Sequence, residues 1–309
     1  MLLLSYIVKK AMQKSLMDRQ DDSKFIEYPD IKDYPDLTSE DFTFKEGKET
    51  LVGAKYFLKN KTDFKAIVIF FHGMLGGRKA YLKQIFSIAE QGYLVYAYDN
   101  LTCGDSSGHK WYNLYSSVKD MGTFFKFFEK ENKLNLPIYS CGHSWGGFTS
   151  LSTIYKDYPT EKIVVLSGFA DPYKASVDLN PGIKKLVPLI KMSTYRYYFK
   201  FAKRNLKKLL NETNKEVLFI HGEEDDIVFY NNFTELKEKF ENKKNIKFIS
   251  VPKMHHQVFM TERGEKYLNE QVNQGVSFGK IPFDKAKKDL FWEQNDAIMN
   301  EIYKFYEDK

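Results

Sequence analysis

Six short apolar runs, each followed by a loop of polar residues or glycine, constrain the fold of this chain more than any other feature. The runs are residues 65–71, 93–98, 136–141, 162–167, 216–220 and 246–251. Each has the length of a buried β-strand, and segments long enough for helices separate them, which favours a mainly parallel sheet with helices on both faces. In such a sheet the functional loops lie beyond the carboxyl ends of the strands. The sequence therefore predicts an α/β fold.

The loop after the third run carries a candidate nucleophile. It reads Gly142-His143-Ser144-Trp145-Gly146. Glycines on both sides of a serine allow a sharp strand-to-helix turn to hold the hydroxyl outward, as a nucleophile requires. Because such pentapeptides also occur in ordinary turns, where the serine only caps a helix, the loops around it must decide its meaning.

Three further loops carry groups that could complete a hydrolytic site. His72 and Gly73 open a glycine-rich loop in which main-chain N–H groups can approach a substrate closely. The run 216–220 leads to His221-Gly222-Glu223-Glu224-Asp225-Asp226, and the last run leads to His255-His256. A serine, a carboxylate and an imidazole in this chain order, at the ends of different strands, indicate acyl transfer through a nucleophile.

These motifs resemble the α/β-hydrolase superfamily, and the resemblance covers the chain from about residue 44 onward apart from an insert. The turn from Asp99 to Ser106 adds to the likeness, and we interpret that turn as structural. The chain looks most like bacterial serine hydrolases of the esterase, monoacylglycerol lipase, lysophospholipase and acyl-peptidase branches. The resemblance implies the α/β-hydrolase fold with a helical cap insert. These branches share motifs rather than substrates.

The resemblance also implies roles for individual residues. By position in the motifs, Ser144 matches the nucleophile, Asp225 the acid and His256 the base. Asp226 stays open as an alternative acid and His255 as an alternative base. Several buried anions in one short loop would repel strongly, so most of the carboxylates around Asp225 are expected to be solvated.

The oxyanion hole of the family consists of two main-chain N–H groups, and the matching positions here are Met74 and Trp145. Two preorganised donors stabilise the negative charge that develops on the attacked carbonyl oxygen. Because main-chain groups donate, neither side chain needs to be polar. His72, His143 and His221 lie beside glycines within the motifs and are expected to have structural roles.

We predict an N-terminal helix and lead-in over residues 1–43, an α/β-hydrolase core over 44–170 and 214–309, and a basic cap insert over 171–213. Residues 171 to 215 contain eleven lysines and arginines against three acidic residues, whereas the whole chain has a net charge of +6. The rest of the chain is therefore slightly acidic.

Apolar residues recur at helical spacing within the insert, and basic residues fill the positions between them. The apolar positions are Tyr195, Tyr198, Phe199, Ala202, Leu206, Leu209 and Leu210. Such a helix could cover an acyl pocket with its apolar stripe and meet anionic lipid with its basic face. A helix with a solvated lysine face is the alternative. Peripheral membrane contact through this helix or the N-terminal one therefore stays open, while nucleic-acid binding fits poorly because no nucleic-acid-binding module surrounds the charge.

The cysteine content, the apolar start of the chain and the absent motifs narrow the location and the cofactors that we expect for this protein. Two cysteines, Cys103 and Cys141, give neither a disulfide framework nor a metal-ligand pair, which indicates a reducing compartment and hence the cytoplasm. The apolar start at residues 1–8 is too short to span a bilayer. Metal-site, phosphate-loop and dinucleotide motifs are absent from the sequence, so no cofactor and no metal is expected.

The sequence thus predicts a serine hydrolase that cleaves a carboxylic ester of a lipophilic acyl chain through an acyl-enzyme intermediate. Its expected partner is a small-molecule ester or lipid substrate. Amide or peptide hydrolysis and acyl transfer use the same three residues and stay open, as does a fold that binds a ligand without catalysis. The sequence does not determine the oligomeric state.

Overall fold

A computed structural model describes residues 19–74, 76–109 and 113–308. Eight strands in these residues form one sheet in the order β1-β2-β4-β3-β5-β6-β7-β8. They are β1 Leu37–Glu46, β2 Glu49–Leu58, β3 Ile67–Phe71, β4 Leu94–Tyr98, β5 Ile138–His143, β6 Thr160–Leu166, β7 Glu216–Gly222 and β8 Ile246–Val251. β1 and β2 form an antiparallel hairpin, β2 runs antiparallel to β4, and the remaining neighbours are parallel. The mostly parallel sheet and all six predicted strands are confirmed.

Ten α-helices lie in the described residues. They are α1 Leu82–Glu90, α2 Tyr115–Glu131, α3 Trp145–Ser152, α4 Pro172–Leu179, α5 Val187–Ala202, α6 Leu206–Glu212, α7 Asn231–Phe240, α8 Glu262–Asn273, α9 Lys288–Phe291 and α10 Asp296–Glu307. Across this part of the chain, every helix is too short or too polar to cross a membrane.

The sheet is covered on both faces. Ile67, Ile69 and Phe71 of β3 pack in a core that contains the buried apolar residues of α2, α3 and α7. Val68 and Phe70 pack in a second core with α1 and α10. Successive side chains of a strand point to opposite faces, so a strand that is buried on both sides must be apolar throughout. All five residues of β3 are buried for this reason.

The hairpin of β1 and β2 is absent from the sequence-based prediction, which begins the core at residue 44. β1 starts at Leu37 and is largely exposed through Ser39, Glu40 and Asp41. As an edge strand with a solvated face, it lacks the continuous apolar run that marks the inner strands. Of the N-terminal helix and lead-in predicted over residues 1–43, residues 1–18 lie outside the described residues.

The insert, residues 171–213, lies between β6 and β7 and contains α4, a 3₁₀ turn over Pro181–Leu186, α5 and α6. A hydrogen bond from Asn113 Nδ2 to Thr194 Oγ1, at 3.0 Å, joins α5 to the segment before α2. A second, from Asn232 Nδ2 to Asp178 Oδ2, also at 3.0 Å, joins α4 to α7. Both contacts help to anchor the insert to the body.

The apolar stripe predicted for the insert does not lie on one helix. Non-helical backbone at Tyr198 (φ −132°) kinks α5, and α6 starts anew after the cap Asn205. Tyr195 and Phe199 are exposed, whereas Leu206 is buried. The stripe therefore divides into an outward part, Tyr195 and Phe199, and an inward part that includes Ala202 of α5 and Leu206 of α6.

Side-chain caps and the two cysteines complete the description of the fold. Asp284 caps a short 3₁₀ turn, and Asn295 caps α10 by accepting hydrogen bonds from the N–H groups of Ala297 and Ile298. Cys103 and Cys141 are both buried and free.

Candidate active site

Ser144 lies at a strained turn between β5 and α3. Its φ of 57° and ψ of −117° are rare for a residue with a side chain and occur where tight packing imposes them. A Cβ atom at Gly146 would lie 2.0 Å from the carbonyl oxygen of Phe71, and one at Gly142 would lie 2.1 Å from that of Gly146. The two glycines are therefore required sterically, since the backbone at the end of β3 passes directly against the turn.

Asp225 lies in the loop after β7 and is buried, with 5% of its surface exposed. Its Oδ1 accepts hydrogen bonds from the backbone N–H groups of Ile227 and Val228, both at 2.9 Å. The neighbouring Asp226 is exposed. Of the two candidate acids, only Asp225 points into the protein.

His256 is the histidine that reaches this carboxylate. Its Nδ1 lies 3.0 Å from Oδ1 and 2.9 Å from Oδ2 of Asp225. The ring of His255 is 42% exposed, and its Nε2 lies 3.7 Å from Oε2 of Glu224. Because a carboxylate can only accept, Nδ1 of His256 carries a proton and Nε2 of the neutral ring is left as a proton acceptor.

The surroundings of Asp225 keep its carboxyl group ionised. Burial alone would raise the pKa of Asp225, but hydrogen bonds with His221 and His256 hold it well below the ordinary value. His221 Nε2 lies 3.2 Å from Oδ2 of Asp225 and 2.7 Å from the carbonyl oxygen of Val228. The ionised carboxylate of Asp225 therefore lies against the Nδ1 side of the His256 ring.

A chain of buried hydrogen bonds joins the three loops of the site. The Gly73 N–H donates to the Tyr81 hydroxyl at 3.1 Å. That hydroxyl lies 2.8 Å from Nδ1 of His143, whose Nε2 lies 2.9 Å from the carbonyl oxygen of His256. Since a carbonyl only accepts, Nε2 of His143 carries the proton and Nδ1 accepts from Tyr81.

His143 is held in this neutral form. Burial, together with the nearby ring of His256, lowers the pKa of His143 to about 3. The two ring centroids are 4.7 Å apart. The residue that precedes Ser144 thus contacts the residue that pairs with Asp225, so the turn and the two loops after β7 and β8 meet in one cluster.

The loop after β3 is fixed by His72. Its Nδ1 donates to the Gly73 carbonyl at 2.6 Å, while Nε2 accepts from the Asn100 N–H at 2.9 Å. The C=O and N–H of a trans peptide point in opposite directions, so the Met74 N–H points away from the His72 ring. Trp145 is the first residue of α3, and its indole is buried and donates to the Leu114 carbonyl at 2.8 Å.

Glu265 is a further residue of the site that sequence reasoning missed. It is buried on α8, and its carboxyl oxygens accept from the N–H groups of His255 at 2.9 Å and Gln257 at 2.5 Å. It therefore holds the backbone on both sides of His256. Its partners are 8 and 10 residues away along the chain, and the only signal in the sequence is an acidic residue in the first turns of a helix.

Three comparisons place this arrangement among known proteins. A family model described as serine aminopeptidase, S33, matches residues 62–207. The esterase Pf2001 of Pyrococcus furiosus is similar in structure, with a TM-score of 0.59 and 18% identity over 82% of this chain and 96% of that one. Est1E of Butyrivibrio proteoclasticus, solved with ferulic acid, gives a TM-score of 0.56 and 16% identity over 76% and 96%. Curated protein sequences give no match.

The strand order, the turn at Ser144 and these structural likenesses define the α/β-hydrolase fold, as the sequence predicts. The chain is similar over residues 62–207 to the family described as serine aminopeptidase, S33, and it shares its fold with these two esterases.

Proposed function

We propose that this protein is a serine hydrolase that cleaves carboxylic esters with a lipophilic acyl group. Ser144 is the nucleophile, His256 the base and Asp225 the acid, and the N–H groups of Met74 and Trp145 form the oxyanion hole. The observation that carries the proposal is the hydrogen-bonded pair of His256 and Asp225, with the His256 carbonyl joined to the residue before Ser144.

The proposed reaction has two halves. His256 Nε2 takes the proton of the Ser144 hydroxyl as Oγ attacks the ester carbonyl, and the two N–H groups stabilise the resulting oxyanion. His256 then gives that proton to the leaving alcohol, which leaves an acyl group on Ser144. Water attacks this group in the same way, with its proton passing to His256, and the acid is released as Ser144 regains a proton.

The electrostatics of Asp225 support this role. Through both halves of the reaction the carboxylate remains ionised, because its pKa lies well below the ordinary value. It keeps Nδ1 of His256 protonated and stabilises the positive charge of the ring after proton transfer. Tyr81, His143 and Glu265 act through the backbone of the loops and are positioning residues.

Apolar side chains around the site support a lipophilic substrate. Met74, Ile227 and Phe229 are large, apolar and exposed, and they lie on the loops that carry one proposed oxyanion donor and Asp225. Exposed apolar groups that cluster beside reactive ones are typical of binding surfaces. Two of the similar structures are esterases by their names.

Amide or peptide hydrolysis is the second candidate, because the family model that matches residues 62–207 is described as a serine aminopeptidase. It would use the same three residues. Comparing p-nitrophenyl esters of increasing acyl length with aminoacyl p-nitroanilides separates the two functions. Faster turnover of the anilides would favour the second.

Labelling with a fluorophosphonate probe tests the nucleophile. We expect the intact protein to be labelled and Ser144→Ala to lose labelling while keeping its circular dichroism spectrum. Ser39→Ala, an exposed serine on β1, is the matched control and should label normally. No labelling of the folded intact protein, or unchanged labelling of Ser144→Ala, would contradict the proposal.

Separate alanine variants of the two adjacent histidines test the base. His256→Ala should lower kcat on p-nitrophenyl acetate by about a thousandfold or more. His255→Ala should stay within about threefold of the intact protein, because its ring is exposed and does not contact Asp225. Equal losses in both variants would argue against His256 as the base.

A further inference from the structure

The outer face of α5 in the insert presents exposed aromatic rings between basic side chains. Tyr195 is 42% and Phe199 57% exposed, and their ring centroids are 6.1 Å apart. Lys191 lies one turn before Tyr195 and Lys203 one turn after Phe199, and both are exposed. All four side chains are exposed, and the two rings lie side by side on the outer face of α5 although the backbone kinks at Tyr198 between them.

Apolar exposure is concentrated in the insert. Of the eleven large apolar side chains that are exposed in the described residues, four belong to residues 171–213, about a seventh of the chain. They are Leu179, Leu186, Tyr195 and Phe199. Leu186 lies in the 3₁₀ turn that leads into α5, which carries Tyr195 and Phe199. Scattered single exposures are ordinary, whereas several within one short segment are typical of a surface that another apolar phase covers.

The basic residues of the insert divide into two sets. One set pairs with acidic residues: Lys174 with Asp178, Arg204 with Asp157 and Lys207 with Glu235. The other set is exposed and, within the described part of the chain, forms no ion pair. It consists of Lys184, Lys185, Lys191, Arg196, Lys200 and Lys203. The uncompensated charge therefore lies beside the exposed aromatic rings.

We propose that this outer face, formed by the 3₁₀ turn at 181–186 and by α5 to Lys203, docks on an anionic lipid surface. The exposed rings would enter the boundary between headgroups and acyl chains, and the six basic side chains would contact lipid phosphates. Apolar and aromatic groups interleaved with uncompensated positive charge match both layers of such a surface. The inference deepens the proposed function, on which it rests for a reason to dock: lipophilic esters partition into membranes.

Both the basic side chains and the exposed rings of this face should strengthen binding to anionic vesicles. Each basic side chain near an anionic leaflet strengthens binding by about fivefold at moderate ionic strength, and salt weakens that contribution. Removing two charges should therefore weaken binding by roughly twentyfold. Removing two exposed rings should have an effect of similar size, because each ring that leaves the interface loses buried apolar area.

Sedimentation with lipid vesicles tests the inference on the full chain. We expect binding to phosphatidylcholine vesicles that contain about a third phosphatidylglycerol, little binding to pure phosphatidylcholine, and release at high salt. Arg196→Gln with Lys200→Gln, and Tyr195→Ser with Phe199→Ser, should each weaken binding at least tenfold. The matched controls remove equal numbers of groups elsewhere: Lys48→Gln with Lys244→Gln, and Phe25→Ser with Phe278→Ser, two residues that are 44% and 75% exposed.

Three outcomes would overturn the inference. The first is no binding of the intact protein to anionic vesicles, and the second is an equal loss of binding in the controls and the insert variants. The third is binding to a single-stranded oligonucleotide through these residues with no binding to vesicles.

Hydrolysis of p-nitrophenyl acetate, a soluble ester, is measured on the same protein samples and should be unchanged in every variant. Vesicle binding without any hydrolysis would count against the proposed function alone. Hydrolysis without vesicle binding would count against this inference alone.

Discussion

Asp225 and Asp120 are two buried carboxyl groups in very different surroundings. Asp225, beyond β7, is 5% exposed and lies against two imidazoles and two backbone N–H groups. Asp120, on α2, is 1% exposed and accepts one N–H, that of Leu101, at 2.9 Å. Burial opposes ionisation of both, yet the pKa of Asp225 lies well below its ordinary value, whereas burial raises that of Asp120 to about 7. The hydrogen-bonding and charged partners of a carboxyl group, rather than its burial, therefore decide whether it stays ionised at neutral pH.

The difference follows from where the partners lie. Loops at the carboxyl ends of β7 and β8 bring His221 and His256 to Asp225. Around Asp120, burial is the largest cause of the raised pKa, the charge of Glu46 raises the pKa further, and the charge of Lys119 lowers it by less than either. A buried carboxylate without cationic partners costs stability at neutral pH. The site after β7 therefore supports a lasting charge, and the interior beside α2 does not.

The largest expected effect comes from removing the negative charge of Asp225. Asp225→Asn keeps the shape of the side chain but carries no negative charge to balance that of the His256 ring, and its amide NH₂, unlike a carboxylate oxygen, cannot accept from Nδ1. We expect kcat on p-nitrophenyl acetate to fall by about a thousandfold to ten-thousandfold with the fold retained. Steady-state kinetics and circular dichroism measure this. A loss below about tenfold would mean that Asp225 does not serve as the acid.

The next largest effect is on stability, and it concerns Asp120, the carboxyl group whose pKa burial raises. In the folded protein the pKa of Asp120 is about 7, above the value of 3.8 expected when the chain unfolds. Between these values only the unfolded state is ionised, so this group lowers the free energy of unfolding as the pH rises from about 4 to about 7, and the cost is constant above that.

Asp120→Asn removes the charge and keeps an acceptor for Leu101. We expect the variant to be more stable than the intact protein by on the order of 4 kcal/mol at pH 8, and nearly equal at pH 4. Urea unfolding at both values measures this. Hydrolysis should stay within about twofold of the intact protein. A difference between the two proteins that is the same at pH 4 and pH 8 would show that folding does not raise the pKa of Asp120.

The smallest effect concerns a third buried carboxyl group, Glu265. In Glu265→Gln one amide atom would accept an N–H, while the amide NH₂ would face the other N–H, so the loop of His256 should shift. We expect kcat to fall by about tenfold with KM unchanged. Glu262→Gln, an exposed glutamate on the same helix, is the control and should behave like the intact protein. A change in KM alone would point to substrate binding instead.

Local patterns were enough to predict much of this molecule. The strands β3 to β8 were recognisable because burial on both faces demands continuous apolar runs, whereas β1 and β2, with solvated positions, left no such run. The turn at Ser144 was recognisable because close backbone contacts at Gly142 and Gly146 leave no space for a Cβ atom.

Sequence patterns fixed the order of strands and reactive loops along the chain, because strand burial and glycine sterics act over a few residues. Only the tertiary structure decided that His256 rather than His255 reaches Asp225, and that Asp225 rather than Asp226 is buried. Adjacent residues of the same type carry the same local signal, and the path of the backbone decides which one turns inward. The contacts of Tyr81 and Glu265 join groups distant along the chain, so no short-range pattern could reveal them.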